Sequence, residues 1–170
     1  MASLGAMPDF DDLLAANNSY AEQFGLSGFD GIAHAGVAMV TCMDSRIDPL
    51  RMIGLEPGDA KILRNPGGRV TDQALVALVL GVTLLQVERI LVVEHTRCAM
   101  ASSTEDELKA RVGESAGTDA SWMTLGAITD QQATVRADVH RVQSHPLISQ
   151  DILVGGFIYD VDTGLLQPVT

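Results

Sequence analysis

Positive charge is scarce in this sequence. Only two lysines occur, Lys61 and Lys109, and the formal net charge is −11. Nucleic acids and anionic membranes select clustered lysine and arginine, so we expect neither to be a partner. Residues 1–10 also lack a basic stretch followed by an apolar run. We therefore expect no secretory signal and a cytoplasmic location.

Long apolar runs and low-complexity tracts are absent as well. The most apolar stretch, residues 74–85, is too short to cross a bilayer, so we expect it to be buried or to form a subunit contact. Apolar residues make up 46% of the 170 residues, which is enough for the core of one domain. We predict a single domain over residues 1–170, in which residues 1–30 form a helical arm and residues 36–170 form the core.

Predicted strands alternate with predicted helices along the core. Asp48, Thr71 and Thr104 can cap the helices that follow them, and Gly113 is expected to close the helix that starts at Thr104. The alternation is typical of a three-layer α/β fold with a mostly parallel sheet of four to five strands and helices on both faces. The predicted strands are residues 36–41, 60–63, 89–93 and 152–159 with a short final strand, and the predicted helices are residues 9–24, 49–54, 71–86, 104–113 and 128–142.

The chain has only two cysteines, Cys42 and Cys98, and both follow predicted strand ends, as does His95. In such sheets the carboxyl ends of the strands gather at one edge, where ligands bind. Two thiolates and one imidazole are usual zinc ligands, and a site with three protein ligands leaves a tetrahedral position open for catalysis. The alternative is that both cysteines are inert buried thiols and His95 is an ordinary histidine.

The segment Cys42-Met43-Asp44-Ser45-Arg46 carries further polar groups. Its alternate residues place a thiolate, a carboxylate and a guanidinium on one side of an extended backbone. Two thiolates weaken zinc as a Lewis acid, so a carboxylate that accepts a hydrogen bond from a bound water would favour hydroxide. Arg46 can hold Asp44 in place by a bidentate pair. The alternative is a simple salt bridge within a loop.

These segments resemble the two signatures of the β-class carbonic anhydrases, Cys-x-Asp-x-Arg at residues 42–46 and His-x-x-Cys at residues 95–98. The resemblance continues through residues 64–68 and 155–160, and it extends over residues 36–169. It implies a zinc enzyme that hydrates CO2 to bicarbonate by a zinc-bound hydroxide and that forms an obligate dimer or a higher even oligomer. The zinc ligands that it implies are Cys42, His95 and Cys98, with Asp44 and Arg46 as the supporting pair.

Two other functions would use the same residues. Some members of this class hydrolyse carbonyl sulfide or carbon disulfide, so the resemblance implies these substrates as an alternative. In other members the matching aspartate closes the metal site, so Asp44 could be the fourth ligand of a non-catalytic zinc-binding protein. We expect Met43, Gly67 and Ala99 to contact the substrate, and we expect Arg97 to form a solvent-facing salt bridge in preference to attracting bicarbonate.

Overall fold

The computed structural model describes residues 10–169, which contain one five-stranded sheet. Its strands are β1 (Val37–Cys42), β2 (Ala60–Asn65), β3 (Arg89–His95), β4 (Leu153–Tyr159) and β5 (Leu166–Pro168). They stand in the order β2-β1-β3-β4-β5, in which the first four are parallel and β5 is antiparallel to β4. The predicted α/β class with a mostly parallel sheet is confirmed.

Most of the α-helices described begin at side-chain caps. Thr71 Oγ1 accepts a hydrogen bond from the Ala74 N–H at 3.2 Å, and Thr104 with Glu107 forms the predicted capping box. Asp130 caps the last helix in the same way. The helices are α1 (Asp11–Ala21), α2 (Asp72–Leu84), α3 (Glu105–Ala116) and α4 (Gln131–Gln143), with a 3-10 turn at Arg51–Ile53 in place of the predicted helix over residues 49–54.

Several predicted helix boundaries are wrong, and one of them is the end of α1, which lies at Ala21 and not at residue 24. Helix α3 does not close at Gly113 but continues to a left-handed Gly117 with φ of 65°. A side chain at position 113 would lie 2.9 Å from the Thr118 carbonyl oxygen, so Gly113 is required for close packing of the following turn and not for a helix cap. Helix α4 begins after Asp130 and not at residue 128, because the Asp130 carboxylate caps its first turn.

The contacts divide the chain into one unit that ends at Asp30 and a larger unit that begins at Gly31. Helix α1 lies in the first unit, and none of its residues is buried. The predicted start of this helix, at residue 9, and the rest of residues 1–9 lie outside the described part of the chain. None of the helices described has the length and apolar character needed to cross a membrane.

The main core lies where α2 and α4 pack against the sheet. Strand β1 is buried along its whole length, as expected for a strand with neighbours on both sides. The apolar run over residues 74–85 is helix α2, which is buried on one side only. Ala74 and Leu78 pack inward, whereas Val76, Leu80 and Leu84 remain exposed.

Candidate metal centre

The strand ends bring together the three expected metal ligands. Cys42 is the last residue of β1, His95 is the last residue of β3, and Cys98 follows in the next loop. One ligand atom from each residue lies within 4.8 Å of the other two, and all three residues are buried. Both cysteines are free thiols. This donor set fits a single metal ion.

A glycine turn separates the two strands that carry these ligands. Strands β1 and β3 are paired as far as Thr41 and Val93. Beyond that pair Gly68 enters between the strands, and a Cβ atom there would lie 2.6 Å from the Val93 carbonyl oxygen and 2.9 Å from the Cys42 nitrogen. Gly68 also has a φ of 73°. Only glycine fits this approach, which ends the β1–β3 ladder where the ligands begin.

The ring of His95 is oriented by the backbone. Its Nδ1 lies 2.9 Å from the Thr96 carbonyl oxygen, so Nδ1 carries the proton and Nε2 keeps its lone pair. Nε2 is buried and has no hydrogen-bond partner within residues 10–169. Buried polar atoms nearly always have a hydrogen-bond partner or a metal partner, so the lone pair of Nε2 indicates a ligand position. Zinc suits it, because imidazole nitrogen and cysteine sulfur are the usual ligands of zinc.

The two sulfurs interact with each other and differ in acidity. Hydrogen bonding with the Cys98 thiol lowers the pKa of Cys42 well below its usual range, and the N–H groups of Asp44 and Gly67 act in the same direction. The same interaction, together with burial, raises the pKa of the Cys98 thiol. One thiolate is therefore favoured before a metal binds, and metal binding would release the proton of the other sulfur.

Arg46 holds the Asp44 carboxylate in a bidentate pair. Its Nε lies 2.9 Å from Asp44 Oδ1, and its Nη2 lies 2.8 Å from Oδ2. The Arg46 N–H also donates to Oδ1 at 3.0 Å. These bonds, the guanidinium pair above all, hold the pKa of Asp44 well below its usual range. Asp44 Oδ2 lies 3.8 Å from His95 Nε2, so the carboxylate faces the ligand cluster without belonging to it.

Two residues near His95 were not singled out from the sequence. Glu94 is fully buried, neither of its carboxylate oxygens has a hydrogen-bond partner in the described part of the chain, and burial raises its pKa to about 7. Gln131 donates from Nε2 to the His95 carbonyl oxygen at 2.9 Å and so fixes the end of β3. In the sequence, Glu94 stands out as a single acidic residue at the end of an apolar run, whereas no sequence pattern marks Gln131.

The residues expected to contact the substrate lie in different settings. Gly67 is buried in its turn beside Cys42, whereas Met43 is 63% exposed and Ala99 is also exposed. Ala99 lines a cavity of about 650 Å³ against α3. Arg97 forms an ion pair with Asp162, and both of these side chains are exposed. This pair confirms the predicted solvent-facing salt bridge.

Comparison with known proteins identifies the family. Residues 37–140 match the profile of the carbonic anhydrase family. β-Carbonic anhydrase 1 of Mycobacterium tuberculosis is 34% identical over 164 residues, which cover 94% of this chain and 97% of that protein. The chain belongs to the β-carbonic anhydrase family. The family resemblance that was inferred from the signatures at residues 42–46 and 95–98 is thereby confirmed, and it extends over 94% of the chain.

This member of the β-carbonic anhydrase family is also similar to solved structures and to relatives that are named for another substrate. A carbonic anhydrase from Streptococcus mutans superposes with a TM-score of 0.87 at 38% identity and covers 97% of this chain and 99% of that one. A carbon disulfide hydrolase of Acidithiobacillus thiooxidans is 28% identical over 167 residues, covering 84% of this chain and 76% of that protein. The family therefore includes relatives named for two different substrates.

Proposed function

We propose that this protein hydrates CO2 to bicarbonate with a zinc ion held by Cys42, His95 and Cys98. The observation that carries the proposal is the placement of Asp44, whose carboxylate is bound by Arg46 and lies beside the three ligand atoms. Arg46 would thus keep the aspartate off a zinc ion bound by the three ligands, and such an ion would have a position open to solvent. Relatives that are named carbonic anhydrases support the same reaction.

Each polar side chain of the site has its own role in this proposal. The two sulfurs and His95 Nε2 hold the metal, and a zinc ion there supplies the Lewis acidity that lowers the pKa of water. Asp44 Oδ2 accepts a hydrogen bond from the attacking water and so fixes its orientation. Arg46 keeps Asp44 ionised and pointed at the ligand cluster. By accepting this hydrogen bond, Asp44 would favour ionisation of the water, even though two thiolates weaken zinc as a Lewis acid.

Apolar side chains surround the sulfurs. Ile47 is buried against Cys42 and Cys98, and partly buried apolar residues pack around this group. Such surroundings limit the access of water and strengthen the electrostatic interactions of the site. They also suit CO2, which is small and carries no net charge. The packed residues are Met52, Met100, Ala101 and Tyr159.

Stopped-flow measurement of CO2 hydration by the zinc-loaded protein, between about pH 6.5 and pH 9, tests the proposal. We expect hydration far above the rate in buffer, and we expect His95→Ala to abolish it. His145→Ala is the matched control, because His145 lies outside the ligand cluster and should leave the rate unchanged. Zinc-loaded wild-type protein that does not accelerate hydration would contradict the proposal.

Hydrolysis of carbon disulfide or carbonyl sulfide is the second candidate function. The relative named carbon disulfide hydrolase and the apolar setting of the sulfurs favour it, because both substrates are apolar and uncharged. Parallel assays of CO2 hydration and of hydrogen sulfide release by one preparation decide between them. A larger kcat/KM for the sulfur substrate would assign this function, and absence of sulfide release would reject it.

We further propose a homodimer or a higher even oligomer in the cytoplasm. The exposed side chains of Val76, Leu80 and Leu84, spaced four residues apart on α2, support a subunit contact. A reducing compartment would keep Cys42 and Cys98 as thiols that can bind a metal. Sedimentation velocity should give a dimer or larger species for the wild type and a smaller species for Leu80→Asp. A monomeric wild type would reject the oligomer.

A further inference from the structure

Arg64 lies where β2 reaches the metal-binding edge of the sheet. It stands opposite Thr41 in the parallel ladder between β1 and β2. Its Nε donates a hydrogen bond of 3.0 Å to the Cys42 carbonyl oxygen, and its Nη2 donates one of 2.6 Å to the Asp44 carbonyl oxygen. One guanidinium thus joins the main chain of a metal ligand to the main chain of the neighbouring carboxylate residue.

Arg64 contacts the main chain just where strand β1 ends. Pairing between β1 and β3 ends at Thr41 and Val93, before Cys42 is reached. On the other side, the ladder with β2 ends one residue later, at the pair of Cys42 and Asn65. Arg64 therefore supports the segment where regular sheet hydrogen bonds stop.

The Asp44 carbonyl oxygen also holds the turn that follows. It accepts a hydrogen bond of 3.1 Å from the Ile47 N–H, while the side chain of Asp44 accepts from the Arg46 N–H. A rotation of the Asp44 peptide would break the Arg64 and Ile47 bonds together and turn the carboxylate away from the ligands. A charged, planar donor with a fixed fork opposes that rotation more effectively than a neutral one.

We propose that Arg64 is a positioning residue, which fixes Cys42 as a metal ligand and Asp44 as the orienting carboxylate through their two main-chain carbonyls. Its effect on catalysis rests on the proposed function. Its effect on metal retention follows from the contact with Cys42 alone, so the two can be tested separately. Because Arg64 is itself exposed, its replacement should leave the core intact.

Arg64→Met and Arg89→Met form a matched pair of variants. Arg89 Nη2 also donates to a main-chain carbonyl, that of Ala35 at 2.8 Å, but it lies at the opposite end of β3 from His95. The measurement is the rate at which a coloured chelator removes zinc from each zinc-loaded protein. We expect about ten-fold faster release from Arg64→Met, the scale for partners of metal ligands, and the wild-type rate from Arg89→Met.

Catalysis supplies a second readout. We expect Arg64→Met to lower kcat for CO2 hydration about ten-fold with little change in KM, because Arg64 acts through the main-chain carbonyls of Cys42 and Asp44. A purely structural role would lower the thermal midpoint and leave both the zinc-release rate and the ratio of kcat to KM unchanged. Arg64→Lys keeps the charge but can restore only one of the two contacts, so its zinc-release rate should be intermediate.

Arg64→Lys decides the question if Arg64→Met does not fold. The proposal is overturned by a wild-type zinc-release rate in either Arg64 variant, or by equal acceleration in the Arg64→Met and Arg89→Met proteins. If the wild type does not hydrate CO2, the proposed function fails, yet the zinc-release comparison still tests Arg64.

Discussion

Two arginine–carboxylate pairs, Arg46–Asp44 and Arg69–Asp138, lie in different regions of this molecule. Both are bidentate, with shortest nitrogen–oxygen distances of 2.8 Å. The first lies at the metal-binding edge of the sheet, where the Asp44 side chain is 20% exposed. The second joins α4 to the segment before α2, and the Asp138 side chain is 5% exposed.

The surroundings of each carboxylate separate the two pairs. Asp138 Oδ2 accepts from Arg69 Nε and also from the Val70 N–H at 2.9 Å, so this carboxylate joins parts of the fold. Asp44 Oδ2 is directed toward His95 Nε2, a buried atom that has no partner among the described residues. The same kind of ion pair therefore joins parts of the fold at Arg69–Asp138 and directs a carboxylate toward the candidate metal site at Arg46–Asp44.

The largest effect on catalysis is expected from a substitution in the Arg46–Asp44 pair. Asp44→Asn should lower kcat/KM for CO2 hydration by about 100-fold, because an amide orients water less well and is not held by Arg46 in the same way. The thermal midpoint should change little, since a partly exposed ion pair contributes little to stability. Stopped-flow assays and thermal melts measure both, with zinc content as the control. Undiminished hydration by zinc-loaded Asp44→Asn would show that Asp44 has no orienting role.

An effect of similar size should concern stability. Asp138→Asn leaves the partly buried Arg69 guanidinium without its counter-charge and should lower the free energy of unfolding by about 3 kcal/mol. Zinc content and kcat should stay at wild-type values in the folded protein. Urea unfolding measures the first and stopped-flow assays the second. Loss of activity at unchanged stability would remove the distinction between the two pairs.

A third carboxylate extends the comparison to pH. Glu105 accepts hydrogen bonds from the N–H groups of Ala127, Leu125 and Gly126, and these bonds lower its pKa. A lowered pKa gives stability that is present above the ordinary glutamate value and is lost as the pH falls through the folded value. Glu105→Gln should therefore melt below the wild type near about pH 7, and the difference should shrink in acid.

Glu114→Gln, on the same helix, is the control for this pH dependence. Its thermal midpoint should equal that of the wild type near about pH 7, because the Glu114 side chain is exposed. A difference between Glu105→Gln and the wild type that stays constant as the pH falls would show that the loop hydrogen bonds do not depend on the charge.

The smallest effect is expected at Arg97. Its side chain and that of Asp162 are 59% and 61% exposed, so Arg97→Met should change the free energy of unfolding by less than about 1 kcal/mol. The carbonyl group of Arg97, which accepts from Arg46 Nη2 at 3.3 Å, remains in the variant. Urea unfolding checks the stability. A marked loss of bicarbonate affinity that is strongest at low salt would instead assign Arg97 to anion attraction.

Local signals predicted much of this fold. The caps at Thr71 and Thr104 are short-range features, and the structure has both of them. The prediction was wrong where two glycines could each end a helix. Helix α3 runs past Gly113 and ends at the left-handed Gly117, and the Thr118 carbonyl oxygen packs closely against Gly113.

The candidate site divides in the same way. The residue types and spacings around Cys42, His95 and Cys98 carry the chemistry of zinc ligation, so the sequence alone was enough to name these residues. The buried carboxyl group of Glu94 could be seen in the sequence only as an exception in an apolar strand. The role that we propose for Arg64 could not be seen, because hydrogen bonds to main-chain carbonyls leave no pattern in the side chains that accept them.

The sequence by itself determined which residues can bind zinc, which carboxylate and arginine stand beside them, and where strands and helices alternate. Tertiary structure decided that Gly68 passes between β1 and β3 and that Arg64 meets Cys42 and Asp44 across β1 and β2. The physical reason is range. Capping and ligand chemistry act within a few residues, whereas strand register fixes contacts between atoms that are far apart in the chain.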